Sequence, residues 1–381
     1  MLAPCNSTEE KLAVLTDVVN YGINTIMPER SVKVHATDRP WITDQLKRLI
    51  AKRQKAFTSG NKSLYVVLRN KVNRERKRCR KTYYNNKVRH LQDTKPRDWW
   101  REVKQLCSNG TVSRPDLRSI LNEDPGYSDE KLASKINEAF VSVMHNYSPL
   151  TDDVCVPTDD DEPIEVTDTA VTQKLRQISI TRASGLDNLP NWVLKEYAEI
   201  LAPAITDILN HSFRDCKVPR VWTIADVPPV PKFPTISDFN KDLRPTSLTS
   251  TLSKVAEDFV IERELKPVLL KSIDPLQFGF IPGSCTTFAL ISMLHHWLAA
   301  TDRTGSTERV ALLDFRKAFD LVDHNLLIAK LFSYGIKPPV VNWIADFLRG
   351  RSQRVKINKE CCSAFLQVPA GVPRSGRGFS F

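Results

Sequence analysis

No apolar run in this 381-residue sequence approaches the ~18 residues that a membrane-crossing helix requires. Its first ten residues, Met1 to Glu10, lack the basic and apolar stretches of a secretory signal. These absences predict an intracellular protein of the nucleus or cytoplasm with no membrane partner. The eight cysteines include no C-x-x-C pair and the seven histidines fall at no zinc-finger spacing, which excludes a zinc module and predicts reduced thiols. There is no repeat at a period of 20–50 residues and no low-complexity tract, so solenoids and arrays are excluded. What is present is ordinary in bulk: 41% hydrophobic and 26% charged residues, as in folded globular proteins, and a length that allows two to three domains at about 150 residues each.

Charge is not spread evenly. The net charge is +11, yet between Arg39 and Leu106 there are 21 Lys and Arg against 5 Asp and Glu, a local +16 that leaves −5 for the rest. Within this segment Ile42, Leu46, Leu49, Ile50 and Phe57 recur at helical spacing, and so do Leu64, Val67, Leu68 and Val72. Basic amphipathic helices are predicted, the second continuing through Arg74, Arg76, Lys77, Arg78, Arg80 and Lys81 into Tyr83 and Tyr84. Cations neutralise phosphates and release counterions, and the interleaved Trp41, Tyr83, Tyr84, Trp99 and Trp100 offer faces on which unpaired bases stack. The segment reads as a nucleic-acid-binding region. A solvated helical face or a nuclear localisation signal at Arg74–Lys81 are the alternatives.

A Ser-, Asn-, Gly- and Pro-containing loop, Cys107 to Pro115, closes the basic region, and a mostly helical stretch follows. Thr151–Val171 then holds eight acidic residues, two prolines and no Lys or Arg, the composition of a solvated linker. Its aspartates lack the D-x-[DN]-x-[DN]-G-x₅-E spacing of a calcium loop. Beyond it, Lys174, Leu175, Ile178 and Ile180 predict a helix end, Arg182–Pro190 a turn, and Trp192, Val193, Leu194, Tyr197, Ile200 and Leu201 a further helix. Glu308–Phe315 predicts a short buried strand with Asp314 at its carboxyl end. Such a carboxylate needs a cation or hydrogen-bond donors, as a metal ligand or as a satisfied core acid. Asp323 stands at a helix N-cap, with Gly335 as the stop. His295 and His296 lie on a helix with Leu290, Met293 and Leu294, and adjacent positions point to different faces, predicting one core and one surface histidine.

Five blocks occur in order: Ala225 to Lys232, Asp242 to Leu248, Gln277 to Phe280, Ala311 to Asp320, and Gly371-Val372-Pro373. Together, over roughly 200 residues, they resemble the reverse transcriptase of non-long-terminal-repeat, LINE-type (jockey-like) retrotransposons. The basic amino-terminal half is similar, more loosely, to the segment between endonuclease and polymerase in such elements. The resemblance implies RNA-directed DNA synthesis, the addition of dNTPs to a DNA primer or target on an RNA template, with Mg²⁺ as cofactor. It makes Asp314 the first catalytic carboxylate and a metal ligand. Lys232 and Arg244 become cations that grip the triphosphate, for which a planar guanidinium is suited, and Phe319 the aromatic beneath the deoxyribose, where a plain core aromatic is the other reading. Gln277, Phe278 and Gly279, with Gly371, Val372 and Pro373, become template and primer contacts. Here Ile281 and Pro282 replace the basic residues the family commonly has after Phe-Gly.

The family also supplies an adjacent Asp-Asp pair on a later hairpin, because two dications about 4 Å apart need several carboxylates to offset their repulsion. After Asp323 this sequence has one aspartate, Asp346, and it reads Arg374 to Phe381 where the family continues. The expectation is therefore an α+β chain. A basic helical region at 1–150 and an acidic linker at 151–171 precede an incomplete right-hand polymerase at 172–381, with fingers, a partial antiparallel palm and no thumb. A reverse transcriptase by descent, inactive as this stretch, is the function expected; a non-enzymatic nucleic-acid-binding remnant working through 39–106 is the alternative.

Overall fold

A computed structural model of the chain describes residues 7–28, 39, 41–92 (side chains to 86), 117, 128–150, 162–233, 235–302, 305–358 and 361–373. Trp99, Trp100, the loop Cys107–Pro115, the acidic 151–161 and the end Arg374–Phe381 lie outside the described residues. The chain divides into two compact units, 29–114 and the combination of 1–28 with 115–381. These divisions fall on either side of the basic segment. Helix α1 (Thr8–Ile26) belongs to the larger unit.

The smaller unit is a hairpin of α2 (Asp44–Thr58) and α3 (Lys62–Gln92). The Thr43 hydroxyl caps α2 by accepting from Leu46 N at 3.3 Å, and the Asn61 carboxamide accepts from Leu64 N at 3.0 Å. Gly60, at φ +73°, makes the turn between them. The helices run antiparallel, since Thr43 Oγ1 lies 3.8 Å from Cys79 Sγ. Leu46, Ala56 and Val72 are buried, but Phe57, Leu64 and Val67 are exposed. Two helices bury only a narrow seam of each other, so one of the five residues of the first predicted stripe and two of the four of the second stay outside.

In the larger unit, α4 (Asp129–Ser142), α5 (Asp168–Arg176), α6 (Asn191–Glu196) and α7 (Ala198–Asp215) precede strand β1 (Ile224–Val227). Next come β2 (Pro229–Pro231), β3 (Leu243–Pro245), α8 (Thr251–Val260), α9 (Thr286–Thr301), α10 (His324–Ser333), α11 (Pro338–Leu348), β4 (Ser352–Val355) and β5 (Leu366–Gln367). Trp343 stacks on Phe347 and meets Phe213 edge-on, and these rings, with Leu209 and Trp222, form the centre of a helical core. Lys11 of α1 pairs with Asp207 of α7 at 2.9 Å. Ile164, Val166 and Val171 are buried in the same core, so the predicted solvated linker ends before 164. A second cluster packs Leu132, Ile136 and Phe140 of α4 against Val227 and Val355. There the buried Asn137 carboxamide nitrogen lies 3.0 Å from Ser363 Oγ and 3.1 Å from the Ala364 carbonyl.

Mixed helix and strand is as predicted, but the strands are arranged differently. β1 pairs with β4 in parallel, Ile224 opposite Ser352 and Val227 opposite Val355, while β4–β5 and β2–β3 pair antiparallel. The predicted strand at 308–315 is irregular and exposed, with Leu313 91% accessible. An apolar run becomes a strand only when a neighbour takes up its backbone groups, and none lies beside it among the described residues. For a similar reason α9 forms but buries nothing, and both His295 and His296 are exposed. Asp323 does cap α10, accepting from Leu326 N at 3.1 Å, and Gly335 at φ +78° ends it. No helix among the described residues is long and apolar enough to cross a membrane.

Two buried nodes set the stability of this unit. Gly185 lies so close to the start of α8 that a Cβ on it would sit 2.5 Å from Ser250 N. Gly185→Ala should therefore destabilise the protein by about 1–3 kcal/mol in urea unfolding, because backbone cannot yield as a side-chain tip does.

Glu257 is fully buried. One of its carboxyl oxygens accepts from Ser253 Oγ at 3.0 Å and the other has no hydrogen-bond partner. Burial pushes the Glu257 carboxyl up to about 7, against the pull of the buried Arg351 guanidinium. Because the folded-state value is raised, the stability it contributes is complete below about pH 4.5 and is lost as pH rises through 7. Glu257→Gln should flatten this dependence, leaving the variant more stable than the parent at pH 8 by on the order of 3 kcal/mol, read from unfolding curves at pH 5 to 8.

Candidate functional site

The β2–β3 hairpin is stiffened by Pro229, Pro231 and Pro245, and its register sets Val230 opposite Arg244. Lys232 follows directly. Its N–H donates to the Asp242 carbonyl at 2.7 Å and its ammonium donates to the Lys241 carbonyl. The intervening loop is organised by two carboxylates. Asp238 caps the turn Phe239–Asp242, accepting from Asn240 N at 2.7 Å and Lys241 N at 3.3 Å. Asp242 accepts from Ser237 N, Ser237 Oγ and Asp238 N at 2.7–3.0 Å, and these bonds hold its carboxyl below the usual aspartate range. With both acids engaged inside the loop, Arg244 is exposed and forms no ion pair among the described residues.

Lys232 and Arg244 line one cavity of about 290 Å³ together with Asp314, Lys317, Phe319 and Asp320. Asp314 reaches it from exposed irregular backbone and not from the end of a buried strand. Two neighbours escaped sequence reasoning. Lys317, in the left-handed region at φ +53°, is half-buried and donates to Asn240 Oδ1 at 3.1 Å, tying the Arg316–Asp320 segment to the loop after Lys232. Burial pulls its ammonium below the usual lysine range, and the Asp320 carboxylate opposes that. The signal available was a lysine two residues before Phe319 inside a family block. Phe280 sits at φ +60° with its ring edge-on to Phe319, centroids 6.0 Å apart. Gln277, Phe278 and Gly279 occupy irregular chain and turns and not a strand, the Gln277 amide donating to the Gly279 carbonyl.

The last block is docked onto this segment. Gly371 N donates to the Val322 carbonyl at 2.8 Å and Val372 N to the Phe319 carbonyl at 2.9 Å, while His324 Nε2 lies 2.7 Å from the Gly371 carbonyl. Gly371 has φ +84°, and a Cβ there would sit 2.8 Å from the Asp320 carbonyl oxygen, so two constraints require glycine. Gly371, Val372 and Pro373 also line a smaller cavity of about 40 Å³ with Asp320 and Arg351.

Asp314 and Asp320 carry the hard oxygen donors that Mg²⁺ takes. Among the described residues no three His, Cys, Asp or Glu side chains come together as a candidate metal cluster. In the smaller unit, the side chains of Arg74, Arg76, Lys77, Arg78, Arg80 and Lys81 are exposed on α3. Glu75, the one acid of that helix, pairs with Arg78 at 2.5 Å, and the Arg80 guanidinium lies 6.0 Å over the Tyr84 ring.

Residues 230–380 match the family model described as reverse transcriptase (RNA-dependent DNA polymerase). A transposon TX1 uncharacterized 149 kDa protein from Xenopus laevis is 29% identical over 256 residues, 64% of this chain and 19% of that protein. A probable RNA-directed DNA polymerase from transposon BS of Drosophila melanogaster is 24% identical over 277 residues, 72% of this chain and 30% of that protein. The RNA-directed DNA polymerase from mobile element jockey of the same fly is 25% identical over 250 residues, 65% of this chain and 25% of that protein. The chain thus spans less than a third of the length of these relatives. The residues that converge on the 290 Å³ cavity lie within the matched region, and there the chain is similar to the reverse transcriptases of LINE-type retrotransposons.

Proposed function

We propose that the 290 Å³ cavity receives the triphosphate and sugar of an incoming dNTP during RNA-directed DNA synthesis on a primer, and that α3 holds nucleic acid. The observation that carries the reading is the convergence of three cations, Lys232, Arg244 and Lys317, with Asp314 and Phe319 on one cavity. Arg244 presents a planar fork of donors to phosphate oxygens. Lys232 and Lys317 add point charges, and Phe319, braced by Phe280, forms an apolar wall against the sugar. Asp314 supplies one carboxylate towards Mg²⁺. Two dications need more negative charge than that, so the 381 residues by themselves bind nucleotide without extending a primer. These partners set the protein's place inside the cell, in the nucleus or cytoplasm.

Binding of dTTP to the chain on a poly(rA)/oligo(dT) template should weaken about tenfold or more in Arg244→Ala, the loss of one charge-assisted phosphate contact. Incorporation should be at background in both the parent and Asp314→Ala. Unchanged dTTP affinity in Arg244→Ala would remove the triphosphate role, and incorporation that disappears in Asp314→Ala would show that the carboxylate set is complete after all.

The exposed cations of α3 predict steep salt dependence. Affinity of the whole chain for single-stranded RNA should fall by roughly a thousandfold between about 50 and 200 mM salt if six or more phosphates are contacted. Replacing Arg74, Arg76, Lys77 and Arg78 by Gln should lower the affinity at low salt and reduce the slope of log K against log salt by about three. An unchanged slope would exclude α3 from the interface.

A further inference from the structure

A second cavity, of about 210 Å³, lies between the end of α5, the turn after it and the start of α8. Three cations line it: Lys174, Arg182 and Lys254. Lys174 is committed, at 2.7 Å from Glu262 and 3.6 Å from Asp258. The other two are not neutralised by a direct ion pair. The Lys254 ammonium donates to the Thr249 carbonyl at 3.1 Å, and the guanidinium of exposed Arg182 makes no hydrogen bond or ion pair among the described residues. Burial, and to a lesser degree Arg182, disfavour the charged form of Lys254, while Glu257 and Asp187 favour it. Those acids are weak counterions. Burial raises both carboxyls, Glu257 is engaged with Ser253, and Asp187 with Ser250 and Leu189. Asp258, which also faces the cavity, is turned to Lys174.

The pair is held in place rather than left to drift. The Asn191 carboxamide donates to the Arg182 carbonyl at 2.9 Å and the Ser179 carbonyl at 3.3 Å, and it accepts from Thr251 Oγ1 at 2.7 Å. Gly185, packed without room for a Cβ against Ser250, fixes the same turn from its other side. Two like charges preorganised around one cavity cost free energy that an anion recovers, and a guanidinium beside an ammonium suits a tetrahedral phosphate.

We propose that Arg182 and Lys254 form a phosphate site that grips one backbone phosphodiester of a bound nucleic-acid strand, distinct from the nucleotide cavity. The proposal rests on the reading that this chain binds nucleic acid. It adds where, outside α3, the strand is held.

The test is anisotropy titration of the whole chain with a labelled single-stranded RNA at several salt concentrations. Arg182→Gln and Lys254→Gln should each weaken binding several-fold at low salt, with the slope of log K against log salt falling by about one phosphate. Arg182 is exposed, so its variant should keep the parent melting temperature, and dTTP affinity should be unchanged in it. Inorganic phosphate should compete for the strand more weakly in Arg182→Gln than in the parent. Parent-like slopes in the Arg182 variant overturn the site. Phosphate binding abolished by Arg182→Gln with an unchanged RNA slope would also overturn it, identifying a free-phosphate pocket. If the parent fails to bind RNA at all, the proposal falls together with the reading beneath it; intact RNA binding with parent-like slopes removes the proposal alone.

Discussion

The parallel pairing of Ile224–Val227 with Ser352–Val355 joins two stretches separated by more than a hundred residues, and the geometry of the 290 Å³ cavity depends on it. Asp226 is the central tie. Only 5% exposed, it takes Arg354 Nε at 2.6 Å and Lys356 Nζ at 3.1 Å, while its backbone carbonyl accepts from Leu248 N. A buried carboxylate with two cations and no other counter-charge is costly to disturb, since freeing either side leaves unpaired charge in a poorly solvated place. Leading out of β1 the chain makes the Lys232–Arg244 hairpin. Leading out of β4 it returns through β5 to Gly371, which clamps the Phe319–Val322 segment. Cations from one stretch and the Phe319 wall from another meet because β1 and β4 hold the bases of both.

Much of this was legible in the sequence where a local rule decides. The Asp323 cap, the Gly335 stop, the basic helix through Arg74–Lys81 and the break between Ile180 and Asn191 each follow from neighbours a few residues apart. The roles expected of Lys232, Arg244, Asp314 and Phe319 rest on family resemblance, and the four line one cavity. Residues that depend on distant partners were not legible. Glu308–Phe315 has a strand's composition, but a strand is a property of a pair. The β1–β4 pairing leaves no mark in either four-residue segment. Lys317 and Phe280 both have left-handed backbone, unusual for residues with a Cβ, and nothing in their identities announces it.

The two cavities differ in how their charge is arranged. Around the 290 Å³ cavity the acids of the Ser237–Asp242 loop are engaged mainly by the loop's own N–H groups, so Arg244 has no ion pair among the described residues, and Lys232 gives its ammonium to a carbonyl. Around the Arg182–Lys254 cavity the acids are disarmed by burial instead. Either device keeps cations available in a unit that carries no basic excess of its own, since the local +16 lies in Arg39–Leu106. Specific cationic sites do not require a basic surface.

Helix α3 has a geometric consequence. At 1.5 Å per residue its 31 residues make a rod about 46 Å long, more than the ~34 Å of one turn of a nucleic-acid duplex. A straight rod laid along a duplex meets phosphates only where the strands cross its line of contact, so its charges would be used in clusters one turn apart. A single strand can follow the rod from end to end. Because the cations wrap around α3 instead of forming one stripe, that strand need not keep to one face, and length of contact, not rotational register, sets how many charges are neutralised.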